Sequence, residues 1–174
     1  MIVLPPDILP LFVEAGWHEE RKVALPNWVT DYVPAGHPAR EVLSRFGGLK
    51  VGESGPGQDH AKSVVNFSPE EYEPGGDRSH ITIWNGLLET QLFCVALYGR
   101  DYMELYVATD GRYFSASIVD DDFSFMGDSF VEAMHRCVFG KHSRPMLRPD
   151  QDSLMYFGTG IKYTRDSPQI YKYE

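Results

Sequence analysis

The chain has 174 residues, with 16 Lys or Arg against 25 Asp or Glu, for a net charge of −9 with the histidines neutral. At 43% apolar and 13% aromatic residues it can bury a core, so one folded domain, or one domain with an appendage, is expected rather than a disordered chain. The acidic balance disfavours nucleic acid and anionic membranes as partners and favours a basic protein surface. No apolar run reaches the about 20 residues that span a bilayer. The first ten residues carry no basic segment ahead of their short apolar stretch, so a cytoplasmic location is expected. Cys94 and Cys137 are isolated in sequence and expected to be buried free thiols.

Taken in chain order, Asp7 is the predicted N-cap of a first helix that places Ile8, Leu11, Phe12 and Ala15 on one stripe, with Pro10 in the first turn and Gly16 past the end. Asn27 to Tyr32 reads as a short helical turn. Pro38 opens a helix whose apolar face is Ala39, Val42, Leu43 and Phe46, stopped by Gly47-Gly48. Residues 52–62 are a Gly-rich polar loop, 63–67 a strand through Val64, Val65 and Phe67, and 79–90 reads equally as helix or loop. Residues 92–97, 102–108 and 113–119 carry the strongest strand signal. Met103, Leu105 and Val107 alternate with Glu104, Tyr106 and Ala108, and Asp110-Gly111 suits a tight hairpin turn. Ser129 and Glu132 stand at capping-box spacing before a helix with Phe130, Met134, Cys137 and Val138 inward and Gly140 as its stop. The expected architecture is α+β: one domain in which an antiparallel meander packs against N-terminal and C-terminal helices.

Composition changes near Gly140. Residues 1–139 hold 10 basic and 21 acidic residues, whereas 140–174 hold 6 and 4 together with Pro145, Pro149, Gly158, Gly160 and Pro168. The main core is therefore expected to end at residue 140, with 141–174 as an extension. Within it, Leu154, Tyr156, Ile161 and Tyr163 alternate, which predicts a short hairpin from 153–157 and 161–164 packed on the main sheet.

Catalytic and cofactor motifs are missing. Gly52-Glu53-Ser54-Gly55-Pro56 breaks the GxSxG elbow at its last position, and neither a GxxxxGKS/T phosphate loop nor a strand-linked GxGxxG is present. His18, His37, His60, His80, His135 and His142 are scattered without a metal-ligand spacing, so neither metal nor cofactor is expected. What remains is acidic. Asp120, Asp121 and Asp122 follow the third meander strand and Asp128 precedes the last helix; a second stretch, 53–77, sets six carboxylates, among them Glu70, Glu71 and Glu73, against one lysine. These are the candidate partner-binding residues. Three readings arise for the aspartates: a cation site, against which the EF-hand pattern DxDxDG with a twelfth-position Glu is absent; a loop that meets the basic groove of a partner; or a solvated turn in which Asp128 helps cap the helix.

Ala15-Gly16-Trp17 followed by Arg21, and then Phe46-Gly47-Gly48-Leu49 closing a helix and leading into a strand, resemble the SUKH superfamily of bacterial immunity proteins, in particular its third subfamily. The likeness extends over roughly residues 8–140, through the strand at Val64 to Phe67, a strand ending near Gly99, the hairpin at Asp110-Gly111-Arg112-Tyr113 and the helix Ser129 to Phe139. The resemblance implies a non-enzymatic, cytoplasmic protein that neutralises a cognate protein toxin of a polymorphic toxin or contact-dependent inhibition system by obstructing its active site. A nuclease or deaminase with a basic groove would suit the acidic balance. A small enzyme with an acid/base site assembled by the fold, and a regulatory scaffold, are the alternatives. Gly16, Trp17, Arg21, Phe46, Gly47 and Gly48 are expected to be framework: Gly16 by adopting positive φ, Trp17 by burying its ring against the core, the Gly pair by allowing a tight exit.

Overall fold

The amides of Ile8 and Leu9 both donate to the carbonyl of Pro5, at 3.2 and 2.9 Å, so the chain enters its first helix through a turn. Helix α1 (Leu9–Glu14) then has Ile8 at the N-cap, with no side-chain cap. The expected cap, Asp7, is engaged elsewhere: its carboxylate lies 2.9 Å from Nε2 of His135 in the last helix. Gly16 ends the segment at φ +95°. Helices α2 (Asn27–Tyr32) and α3 (Pro38–Phe46) form where predicted, and Ala39, Val42, Leu43 and Phe46 are all buried. His37 caps α3 by accepting the Ala39 amide on Nδ1 at 3.2 Å, while Nε2 donates to the carbonyl of Gln91 at 3.0 Å. That pairing requires the neutral ring, and burial holds the His37 pKa below its ordinary value.

The computed structural model describes residues 2–68, 79–155 and 160–173. After α3 come β1 (Lys50–Val51), β2 (Val65–Asn66), α4 (Ser79–Leu87), β3 (Phe93–Tyr98), β4 (Met103–Val107), β5 (Tyr113–Ser117), β6 (Phe123–Gly127), α5 (Phe130–Phe139) and β7 (Arg144–Met146). The seven strands form one antiparallel sheet in sequence order, and the protein is a single α+β domain. The segment at 79–90 resolves as helix through Leu87. Asp110-Gly111 makes a three-residue connection rather than a two-residue one: the Ala108 amide pairs with the Arg112 carbonyl at 2.9 Å and only Gly111, at φ +92°, takes the left-handed conformation.

Alternation along the strands sends residues to two cores. Leu105 and Val107 face α1, α3 and α5, where Phe12, Phe46, Phe67 and Phe130 meet, Phe46 stacking on Phe130 at 4.8 Å. Tyr106 and Ala108 face the opposite side, under Ile81, Trp84 and Leu88 of and after α4. There Trp84 stacks on Phe123 at 4.3 Å.

The sheet does not stop at Gly140. Strand β7 pairs with β6, and Met146, Leu147 and Ile170 are buried. The chain returns along β7 as the Tyr171 amide donates to the Pro145 carbonyl at 2.8 Å, the Tyr171 ring stacks on Phe125 at 4.0 Å, and the Tyr173 hydroxyl donates to the Leu147 carbonyl at 2.9 Å. The core expected to end at 140 therefore continues, because β6 would otherwise expose a free edge and an aromatic face. The expected hairpin exists as β8 (Ser153–Met155) and β9 (Lys162–Thr164), but as a separate two-stranded sheet. Of its predicted inward side chains, Leu154 and Tyr163 are partly buried, Ile161 is exposed and Tyr156 lies outside the described residues, while Ile170 is buried and Tyr171 and Tyr173 pack on the second core.

The polar loop at 52–62 closes the C-terminus of α5. Amides of Gln58, Asp59, His60 and Ser63 donate to the carbonyls of Phe139, Gly140, Gly140 and Cys137 at 2.8 to 3.0 Å, answering acceptors that a helix end leaves without intrahelical donors. A side chain on Gly57 would collide with the Phe139 carbonyl and the Gly140 backbone, and Gly140 itself is left-handed at φ +64°.

Candidate functional site

The three consecutive aspartates lie in the connection between β5 and β6. The predicted strand 113–119 ends early, at Ser117, because its hydroxyl accepts the amides of Val119 and Asp120, both at 3.2 Å, and turns the chain. The Ser117 amide donates to the Asp122 carbonyl at 3.0 Å and the Asp122 amide to the Asp120 carboxylate at 3.3 Å, which tightens the loop. Asp121 meets Arg148 at 2.5 Å, and Arg148 also reaches Asp150 at 3.1 Å. Asp122 is half-buried, and its pKa is pushed up to about 6, by burial first and then by the charges of Asp120 and Asp121.

Asp128 does not join them. It lies at the other end of the five-residue β6, about 20 Å from Asp122 at the usual rise of a strand. Nor does it cap α5: Ser129 accepts the Glu132 amide at 3.2 Å, and Glu132 in return receives the Asp128 amide at 3.4 Å. Glu70, Glu71 and Glu73 lie outside the described residues.

Three apolar side chains were missed by reading for charge. Tyr102, Ile118 and Val119 are 56%, 55% and 70% exposed beside the aspartates. Ile118 and Val119 look like the end of a strand by composition, and only the Ser117 turn places them outside the sheet.

The motif residues are brought together as a structural unit. Arg21 donates to the carbonyls of Arg45 and Gly47 at 2.9 and 2.8 Å, closing the C-terminus of α3. A side chain on Gly47 would collide with the Leu43 carbonyl, and Gly48 sits at φ +80°. Phe46 is fully buried. Trp17 is half-buried instead of buried: its ring rests 6.4 Å from that of Phe46 with the Arg45 guanidinium 5.8 Å above it, because α1 ends at the rim of the core.

A second polar group surrounds the end of α5, where Asp59, Glu132, His135, Arg136, Lys141 and His142 line a cleft of about 270 Å³. His60 stacks on His142 at 5.8 Å and is held below its ordinary pKa by burial, then by the charge of His142, with Asp59 opposing. The carboxylates here hold structural partners: Asp7 with His135, Glu132 with Arg136 at 3.6 Å, and Asp59 with the His142 amide at 2.9 Å. Among the described residues no group of three or more His, Cys, Asp or Glu side chains is placed to hold a metal ion. Cys94 and Cys137 are buried, and burial pushes the Cys137 thiol well above its ordinary pKa, away from the reactive thiolate. No helix among the described residues is long and apolar enough to cross a membrane.

These features define an α+β domain with ion pairs that tie its elements together and with exposed acidic and apolar side chains side by side at the turn from β5 to β6. The model of the SUKH-3 immunity protein family matches residues 4–140, and the chain belongs to that family. No curated protein and no solved structure gives a match. The matched range ends where α5 does, so β7 and the segment that returns along it lie beyond it.

Proposed function

We propose that this chain protects its cell from a protein toxin by binding the toxin directly and covering its active site, without chemistry of its own. The observation that carries the reading is the family match over residues 4–140. The acidic loop supports it: Asp122 is kept beside Asp120 and Asp121 although burial and their charges oppose its ionisation, an arrangement unfavourable for the free protein and suited to a basic partner. A nuclease or nucleic-acid deaminase, whose substrate groove must be basic, is the toxin class with the matching charge, and the cytoplasm is where such a toxin acts. Asp128 and the Glu70, Glu71, Glu73 stretch are the further acidic contacts on this reading.

The test reads the gene next to this one for a toxin-like domain, co-expresses the chain with that toxin domain and measures cell survival. Protection by the wild type is expected, with the triple variant Asp120→Asn, Asp121→Asn, Asp122→Asn associating more slowly and showing a flatter salt dependence. Loss of viability despite full expression of the wild-type chain would overturn the proposal. Turnover of a substrate by the chain alone would replace it with the enzyme reading.

A further inference from the structure

We infer that Tyr102, Ile118 and Val119 form the apolar centre of the toxin-binding surface, ringed by acidic side chains, and that the partner is a folded protein presenting an apolar contact within a basic rim. The inference rests on the immunity reading above and names the surface that would serve it.

The last register pair of β4 and β5 is Met103 with Ser117, and beyond it the Ile118 amide donates to the Tyr102 carbonyl at 3.0 Å. Tyr102 and Ile118 are thus opposite one another and point to the same side of the sheet. They continue two rows, Tyr106–Glu104–Tyr102 and Phe114–Ala116–Ile118, that are buried up to Glu104 and Ala116. The apolar stripe of the second face outruns its cover by one position on each strand, with Val119 following. Elsewhere, Val3, Val13, Tyr32 and Ile83 are exposed on separate segments, and Met155 and Ile161 on the β8–β9 hairpin, as is ordinary for a protein surface. Three large apolar side chains exposed on two adjoining connections at one end of the sheet are not.

Charge decides among occupants. Asp101, Asp120, Asp121 and Asp122 lie within the two adjoining connections; of the cations there, Arg148 is held by Asp121 and Asp150, and Arg165 is turned onto the carbonyls of Arg148, Pro149 and Gln151. A second copy of this chain, at −9, would bring like charge to like, and nucleic acid or an anionic bilayer would be repelled in the same way. A basic protein surface is attracted. The loop is also fixed before binding, by the Ser117 hydroxyl and the Asp121–Arg148 pair, so little ordering remains to be done in the complex. An apolar centre inside a charged rim is the usual anatomy of such an interface.

The experiment titrates the same toxin domain against four forms of the full chain: wild type; Tyr102→Ala, Ile118→Ser, Val119→Ser; Asp120→Asn, Asp122→Asn; and, as a control on an exposed apolar residue of α4, Ile83→Ser. The apolar triple variant is expected to weaken binding by about 100-fold through faster dissociation, with an unchanged melting temperature. The aspartate pair should slow association, and the control should bind as the wild type does. Wild-type binding retained by the apolar triple variant would overturn the surface and leave the immunity reading standing. No binding and no protection by the wild type would overturn both. A wild-type dimer in light scattering that the apolar triple variant abolishes would assign the patch to a second copy and overturn the proposal as well.

Discussion

The two faces of the sheet are covered by different means. On the first, regular helices α1, α3 and α5 set aliphatic side chains and three phenylalanines, Phe12, Phe46 and Phe130, around Phe67, and every one of those helices lies inside the family-matched range. On the second, α4 supplies the regular cover, and among the described residues Trp28 of α2 packs there too, with Tyr171 and Tyr173 on a segment without regular structure, fixed by aromatic stacking and by hydroxyl and amide bonds to Leu147 and Pro145. An irregular segment can bury aromatic area as well as a helix does, provided its backbone groups find partners, which the returning strand edge supplies. Chain length beyond a family match can therefore be structural necessity.

The most severe way to break this comparison is to delete residues 144–174. The truncated chain is expected to lose cooperative unfolding in a thermal scan followed by circular dichroism, since β7 and the cover over Phe125 go with it. An unchanged melting temperature would make the second face self-sufficient without its tail. Next, Phe46→Ala on the first face and Trp84→Ala on the second should each destabilise by about 3 to 5 kcal/mol in urea unfolding, since both rings are fully buried. A loss below about 1 kcal/mol at Trp84 would mark the second face as a loose cover. Trp17→Ala should cost about 2 kcal/mol, less than Phe46→Ala, because its ring is only partly buried.

The smallest effect concerns Asp122. With its native pKa at about 6 against an ordinary 3.8, the folded chain holds the proton more tightly than the unfolded one. The contribution of this group to stability is full below about pH 4 and is lost as pH rises through about 6, by roughly 1 kcal/mol once solvent screening of a half-exposed group is allowed for. Asp122→Asn should remove that slope and leave the protein more stable than wild type at pH 7, as read from urea midpoints across pH 4 to 7.

The first face was legible in the sequence because helices advertise the surface they bury: Ala39, Val42, Leu43 and Phe46 repeat at helical spacing, and Ser129 with Glu132 and Gly140 mark both ends of α5. Strands β6 and β7 carry no comparable signal. Phe123-Ser124-Phe125-Met126 is too short a run to stand out after three aspartates, and β7 is three residues with a proline. The aspartates were legible as charge but not as geometry, since nothing in their spacing tells that β6 separates Asp128 from the rest. Tyr102, Ile118 and Val119 were hidden by looking like strand. Asp7 shows the same limit at a cap, its partner being a histidine 128 positions away.

The clasp of residues 57–63 on the end of α5 bears on the order in which the molecule assembles. Its amides are joined to carbonyls roughly eighty positions later, so the loop gains its bonds only once the intervening meander has brought α5 alongside. The final turn of α5 and a loop with almost no ladder of its own should accordingly open and close as one unit, and the amide protons of Gln58, Asp59, His60 and Ser63 should exchange with solvent at the pace of a helix rather than of a surface loop.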